Sequence, residues 1–307
     1  MNSSHHSPWL ALFQREWLQH RKGWALLAGL PFVLGLLLVS FGTVQLDADE
    51  QTPMLLLALT AAAMSATMAI YLTLSVLTAG ILLAGLARRD HGDRSVEFWL
   101  SLPTQHSAAW AVPLLTHAVL VPMAAVPIGA LAGAALSTVL VSRVDGWQAW
   151  LQLPWAQLLP AAASVVARVM AGIPLALLWL APVVMLMVAL TAWMGRWGLL
   201  VLVGGFGIAT AVLDKLWGTP WPAEALATLF ENAGLSILYA SKEPEAHPFT
   251  ASNPIEALGQ VPGLVVKDYG QALSLLTEPA LVPALLTAAA CFAVVVFWRR
   301  RGAGTMA

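Results

Sequence analysis

Long uncharged runs of apolar residues restrict what this sequence can fold into. Residues 54–87 contain no charged side chain, and as an α-helix they would extend about 51 Å. Residues 108–141 also lack Asp, Glu, Lys and Arg. About 20 apolar residues are enough for a helix to cross a hydrocarbon core of about 30 Å. Because lipid offers the backbone no hydrogen-bond partner, a spanning helix satisfies these groups internally. The sequence therefore predicts an all-α polytopic membrane protein.

Composition excludes several other classes of protein. Hydrophobic residues make up 59% of the chain and the mean hydropathy is +0.76, so a soluble fold would expose too much apolar surface. A net charge of −1 argues against a nucleic-acid surface, and we expect no nucleic-acid partner. The single Cys291 excludes an intrachain disulfide and a thiolate metal cage. The sequence indicates no catalytic, cofactor-binding or metal-binding residues.

Six membrane-spanning helices are predicted. They are residues 24–44, 54–87, 108–141, a helix within 161–194, 199–213 and 281–298. Pro113, Pro122 and Pro127 predict kinks in the third span. Gly129 and Gly133 form a G-x-x-x-G pair that permits close contact between helices. A tight turn over residues 195–198 is expected to join the fourth and fifth spans.

The first 23 residues have the pattern of an interfacial helix. They lack the apolar core of a signal peptide, and their aromatic residues fall on one face of a helix. The residues predicted to form this helix include Trp9, Phe13, Arg15, Glu16 and Trp17. A plain positively charged flank to the first span is the alternative, and the two interpretations are compatible.

Residues 214–279 form the one sizeable polar region, and prolines interrupt it throughout. This pattern predicts short helices rather than a domain with its own core. Residues 223–239 have the pattern of one amphipathic helix. Asn253 and Pro254, followed by Glu256, are typical of a helix start.

The positions of the basic residues predict the orientation in the membrane. If the N-terminus is cytoplasmic, ten of the 15 Lys and Arg residues lie on the inner side, close to span ends. This agrees with the positive-inside rule. Both termini and residues 88–107 are then cytoplasmic, and residues 214–279 are extracytoplasmic.

The densest cluster of charge lies between the second and third spans. Its predicted partner-binding residues are Arg88, Arg89, Asp90, Asp93, Arg94, Glu97, Phe98, Trp99, Leu100, Leu102 and Pro103. Val96, Trp99, Leu100 and Pro103 recur at roughly helical spacing, which indicates a short amphipathic helix. Two interpretations stay open: a charged loop that only fixes topology, and a helix that docks a soluble partner.

A resemblance to a known family supports the second interpretation, a helix that docks a soluble partner. The motif Glu97-Phe98-Trp99-Leu100-Ser101-Leu102-Pro103 resembles the cytoplasmic coupling segment of type-2 ABC transporter permeases. Residues 12–17 resemble the amphipathic elbow helix of that family. The sequence departs from the family at Arg94-Ser95, where Gly-Thr is common, and lacks the Gly-Lys that often opens the third span. These departures bear on which subfamily of permeases the chain resembles, and they leave the resemblance to the family as a whole unchanged.

The resemblance implies a single transmembrane permease domain, residues 1–307, in the bacterial inner membrane. It implies pairing with a second permease copy or a homologous permease, and with two separate ATP-binding subunits that carry ATP and Mg²⁺. The chain has no G-x-x-x-x-G-K-[ST] motif, which agrees with a chain that binds no ATP itself. The implied activity is export of an amphiphilic cargo such as a lipid, a peptide or a drug-like molecule, with membrane lipids as further partners.

Two other classes of function compete with this expectation. A membrane-embedded enzyme would need ionisable residues that converge within the bilayer, and His117 is the one clear candidate. For His117 itself, a histidine in a helix contact is the more ordinary explanation than a proton relay. A scaffold or signalling subunit that transports nothing is the third class. Stimulation of ATPase activity by a cargo would distinguish a transporter from a membrane-embedded enzyme and from a scaffold or signalling subunit.

Overall fold

The computed structural model describes residues 8–42, 53–92, 106–219, 221–237 and 253–304, and these residues contain helices and no strand. The α-helices are α1 (Pro8–Phe41), α2 (Pro53–Gly92), α3 (His106–Leu115), α4 (Val121–Leu151), α5 (Trp155–Met194), α6 (Gly198–Leu200), α7 (Phe206–Trp217), α8 (Trp221–Ile237), α9 (Pro254–Ser274) and α10 (Leu281–Gly304). Short π segments, Thr116–Leu120 and Val201–Gly205, and 3₁₀ turns, Gly195–Trp197 and Leu275–Thr277, connect some of them. The predicted all-α class is confirmed.

The described helices include several that could cross a membrane. Four segments are long and apolar enough: Trp9–Phe41, Met54–Leu86, Trp110–Leu151 and Trp155–Leu216. Helices α9 and α10 meet at an angle of 68°, and they add a fifth crossing if they act as one broken span. The chain is thus a multi-pass membrane protein with four or five candidate spans. This count does not confirm the predicted six.

A tight turn divides the last and longest of these segments. Gly195 has a φ of 61°, a backbone conformation that favours glycine. Gly198 then lies so close to α5 that a Cβ atom on it would be 2.6 Å from the Leu190 carbonyl carbon. Gly198 and Leu190 are eight residues apart and would be about 12 Å apart along a straight helix. Their contact therefore shows that the chain reverses between them. The turn predicted over residues 195–198 is present.

Helix α1 differs from the prediction. An interfacial helix over residues 1–23 and a separate span over 24–44 were expected, but Pro8–Phe41 is one helix of 34 residues. The predicted boundary is therefore wrong. Gly23 is the only helix-weakening residue near it, and one glycine costs only about 1 kcal/mol relative to alanine. That is too little to end a helix that packs on its neighbours.

Helices α2 and α4 approach each other closely at the glycine pair. A Cβ atom on Gly129 would lie 2.7 Å from the Met68 Cα, and one on Gly133 would lie 2.5 Å from the Met64 Cα. The Thr67 hydroxyl donates a hydrogen bond of 2.8 Å to the Gly129 carbonyl oxygen. The close helix contact that the G-x-x-x-G pattern permits is present between these two helices.

The third span is irregular where proline requires it. Pro122 has no N–H to donate to the preceding turn, and the π segment Thr116–Leu120 lies directly before it. Helix α4 also has a break at Asp145 and Gly146, where Gly146 has a φ of 84°. The helix continues through Pro127. The irregularities of the third span therefore lie beside Pro122 and at Gly146.

The polar region before the last span consists of helices packed on α5. Helix α8 contributes Ala233 to a core cluster with Ala176 and Trp179 of α5. The side chain of Asn253 accepts a hydrogen bond of 3.0 Å from the Ile255 N–H, and this caps α9 as predicted. The described part of this region thus consists of two helices, α8 of 17 residues and α9 of 21 residues, which both pack on α5. Helix α7 continues to Trp217, a few residues beyond the predicted end of the fifth span.

Candidate functional site

Most of the predicted partner-binding segment lies outside the described residues. This applies to Asp93, Arg94, Glu97, Phe98, Trp99, Leu100, Leu102 and Pro103. Arg88, Arg89 and Asp90 belong to the end of α2, which continues as a helix to Gly92. Helix α3 begins at His106. The structure therefore describes both helices that flank the segment.

The two flanking helices contact each other. Trp110, in the first turns of α3, is buried in one cluster with Leu83 and Leu86 near the end of α2. The same cluster contains Val188 of α5 and Val295 of α10. Four helices thus share a core immediately beside the charged segment.

The predicted elbow residues occupy the first half of α1, which packs on α3. Leu12 is buried against Val112 of α3, and Phe13 packs beside them. Trp9 and Trp17 are about half exposed, as expected for aromatic side chains at a membrane interface. The interfacial position of these residues stays a prediction, and the helix does not end where predicted.

A buried contact between a carboxylate and a histidine joins α1 to the π segment. Glu16 is 1% exposed and His117 is 2% exposed. The Nε2 atom of His117 lies 3.3 Å from Oε2 of Glu16. A carboxylate removed from water is costly unless it has a charged or hydrogen-bonding partner. His117 therefore stabilises the burial of Glu16 and holds α1 against the third span.

His20 completes a cluster of three titratable side chains. It follows Glu16 by one helical turn, which places both on one face of α1. Its Nε2 lies 3.8 Å from the same Oε2 atom, and its ring meets the His117 ring edge-on with centroids 4.8 Å apart. On the opposite side, Nε of Arg15 lies 3.9 Å from Oε1 of Glu16. We refer to Glu16, His20 and His117 as the histidine–carboxylate cluster.

The π segment matters for the position of His117. A π turn contains an additional residue compared with an α turn, so it shifts which side chains face the neighbouring helices, and such segments are frequent at functional sites. Thr116, beside His117, is also buried, and its hydroxyl has no hydrogen-bond partner among the described residues. The irregular backbone thus carries two buried polar side chains, of which His117 contacts Glu16 on α1.

Sequence reasoning identified His117 and Glu16 separately and did not bring them together. The sequence pattern places Glu16 on the interfacial helix and His117 alone within a span. The Glu16–His20 spacing was a local signal for a shared helix face. Nothing local in the sequence indicates that a residue about one hundred positions later joins them.

An apolar groove opens beside the cluster. Its volume is about 510 Å³, and its lining includes Phe13, Trp17, Arg21, Trp24 and Tyr71. Trp24 lies between the groove and the cluster, with its ring 5.4 Å from that of Trp17 and 5.9 Å from that of His117. Arg21 is the one charged residue among the described lining residues. The groove therefore has the chemistry to accept an apolar chain near a single cation.

A buried ion pair joins α5 to α9. Nε of Arg168 on α5 donates to a carboxylate oxygen of Asp268 on α9 at 2.5 Å. Its Nη1 donates to the Ser236 carbonyl oxygen of α8 at 2.6 Å, next to the last residue of that helix. A cation at a helix C-terminus interacts favourably with the helix dipole. Arg168 therefore joins three helices, which is a structural role.

Comparison of the chain with protein-family models, with curated proteins and with solved structures finds no match.

Proposed function

We propose that the chain is the membrane-spanning permease subunit of an ATP-driven ABC transporter. In this proposal six spans cross the membrane, because the turn at residues 195–198 separates α5 from the segment that ends with α7. The chain lies in the bacterial inner membrane with both termini cytoplasmic. It pairs with a second permease copy or a homologous permease, and with two ATP-binding subunits that carry ATP and Mg²⁺.

The observation that carries the proposal is the continuity of α2 into the charged segment. Helix α2 has 40 residues without a break, about 60 Å, which is twice the thickness of a hydrocarbon core of about 30 Å. A helix of this length has to tilt or bend, or it extends beyond the hydrocarbon core; in our proposal it extends on the side where the charged residues lie. A rigid helix of this kind can carry a displacement from a soluble partner into the bilayer.

The packing beside the segment supports the same function. Trp110 of α3 packs against Leu83 and Leu86 of α2, so a force on residues 93–105 acts on both flanking helices together. The glycine contacts of Gly129 and Gly133 then connect α2 to α4 along the membrane. A displaced coupling segment would move these helices as one body relative to a second permease.

Mechanistically, closure of the two ATP-binding subunits pulls on the coupling segment. Phe98, Trp99 and Leu100 form its apolar contact surface, and Arg94 and Glu97 set its orientation. ATP hydrolysis then releases the pull. The low charge of the spans favours an amphiphilic cargo, and the apolar groove with Arg21 supports membrane lipids as partners.

The test uses alanine substitutions in the coupling segment. We expect Trp99→Ala and Leu100→Ala each to weaken binding of the ATPase subunit by about 1–3 kcal/mol, because aromatic and apolar anchors dominate such interfaces. Binding is measured by copurification with the ATPase subunit that accompanies the native chain, and coupling by the ATPase rate in reconstituted membranes.

Trp147→Ala is the matched control, since Trp147 is an exposed tryptophan on α4 far along the chain from the segment. It should leave binding and ATPase rate unchanged. If Trp99→Ala and Leu100→Ala both retain full binding and full coupled ATPase activity, the segment is only a topological loop and the proposal fails.

A further inference from the structure

We propose that the histidine–carboxylate cluster binds a divalent transition-metal ion, with Zn²⁺ the best-suited ion. The ligands are Nε2 of His20, Nε2 of His117 and the Oε2 carboxylate oxygen of Glu16. The ion joins α1 to the π segment before α4. Metal binding at this site does not depend on the transport function proposed above.

The ligand atoms lie close enough together to converge on one ion. Tetrahedral zinc with bonds of about 2.0–2.1 Å places neighbouring ligand atoms about 3.3 Å apart. The distance from Glu16 Oε2 to His117 Nε2 is 3.3 Å, and the distance to His20 Nε2 is 3.8 Å. All three ligand atoms lie within 4.8 Å of one another. A small rotation of His20, the most exposed of the three side chains, would complete the geometry.

The types of donor atom select the class of metal. Two imidazoles and one carboxylate suit Zn²⁺ and other late first-row metals, whereas Mg²⁺ and Ca²⁺ prefer sites made of oxygen alone. Three protein ligands leave one tetrahedral position for a water molecule. Copper would bind more tightly than zinc in an unselective site, so the specificity has to be measured rather than assumed.

The two imidazoles are arranged so that one ion can bind both. They converge on one carboxylate oxygen, and they meet edge-on with centroids 4.8 Å apart. One metal ion binds two neutral imidazoles and a carboxylate together. Trp24 packs beside both histidine rings and restricts access of water to the site.

The experiment uses the full-length chain in lipid nanodiscs after removal of metal with a chelator. Titration calorimetry with Zn²⁺ should show one ion bound per chain. Co²⁺ should give the visible absorption bands of a tetrahedral site without thiolate charge transfer. Zn²⁺ should also raise the melting temperature of the wild-type chain, since a ligand that binds the folded state stabilises it.

Substitutions identify the ligands. We expect His117→Ala and His20→Asn each to lower Zn²⁺ affinity by at least about 100-fold, because loss of a direct ligand should exceed the 10–100-fold effects of outer-shell changes. His20→Asn is the decisive variant, since His20 is only partly buried and its replacement leaves the Glu16–His117 pair in place. It should fold normally and lose the Zn²⁺-dependent rise in melting temperature.

The double variant His5→Ala/His6→Ala is the matched control, because two adjacent histidines near the N-terminus can also bind metal. It should bind Zn²⁺ as the wild type does. The proposal is overturned if wild type and His20→Asn bind Zn²⁺ with equal affinity, if the double variant abolishes binding, or if the wild type binds no ion.

Discussion

Arg168 is a buried charge whose hydrogen-bond partners come from two other helices. It is 5% exposed, and its guanidinium contacts the side chain of Asp268 and the end of α8. Gly172, one turn along α5, has no side chain, and any Cβ there would collide with the backbone of α8. The glycine and the arginine together therefore define where α8 ends against α5.

Removing one member of this pair should strongly destabilise the fold. We expect Arg168→Ala to lower the free energy of unfolding by about 3–5 kcal/mol, because it removes the guanidinium that is hydrogen-bonded to the buried Asp268 carboxylate. The double variant Arg168→Met/Asp268→Leu should recover most of this loss. Heat-induced unfolding in detergent, analysed as a double-mutant cycle, measures both effects.

Arg196→Ala serves as the control, because Arg196 is exposed and should contribute little. Equal stability of Arg168→Ala and Arg196→Ala would contradict the buried ion pair.

At the scale of single residues, the sequence predicts only contacts between residues that are close in the chain. The Asn253 cap is recognisable because its signal lies within a few residues, whereas Arg168 and Asp268 lie one hundred residues apart.

At the scale of helices, apolar length predicts where the helices are and predicts their boundaries less well. The last span was expected to begin at residue 281, and α10 begins at Leu281, after a turn at Pro279 and Ala280. The N-terminal pattern changed from amphipathic to apolar near residue 23, but α1 continues through that point. A change in side-chain polarity alters what a helix faces and does not by itself break its hydrogen bonds.

The contact between α2 and α4 allows a matched glycine comparison. Gly133→Ala should destabilise the protein by about 1–3 kcal/mol, because its Cβ would lie 2.5 Å from the Met64 Cα and would force the helices apart. Gly80→Ala, on α2, places a Cβ where nothing lies within 4 Å, and it should be neutral or stabilising by up to about 1 kcal/mol. Heat-induced unfolding of both variants gives the comparison. If they are equally stable, the two helices are not in contact at Gly133.

At the scale of the whole molecule, the sequence predicts six spans, and the described helices provide four or five candidates. The difference lies in Trp155–Leu216, which counts as one candidate of 62 residues. A straight helix of that length would extend about 93 Å, three times a hydrocarbon core of about 30 Å. The reversal at residues 195–198 makes two crossings the simpler arrangement. Hydropathy alone could predict this turn because glycines and Arg196 interrupt the apolar run there.

Cysteine accessibility decides between these arrangements. In a Cys291→Ala background, single cysteines replace Ser95, Arg196 or Ser252, and an impermeant thiol reagent is added outside intact cells. Six spans with cytoplasmic termini place residues 95 and 196 inside and residue 252 outside, so only the cysteine at 252 should label. Labelling of all three after permeabilisation is the control for reactivity. If α6 and α7 do not cross the membrane, residues 196 and 252 lie on the same side and label alike. Labelling at residue 95 in intact cells would instead reverse the orientation, and it would remove the coupling segment from the side where ATP-binding subunits act.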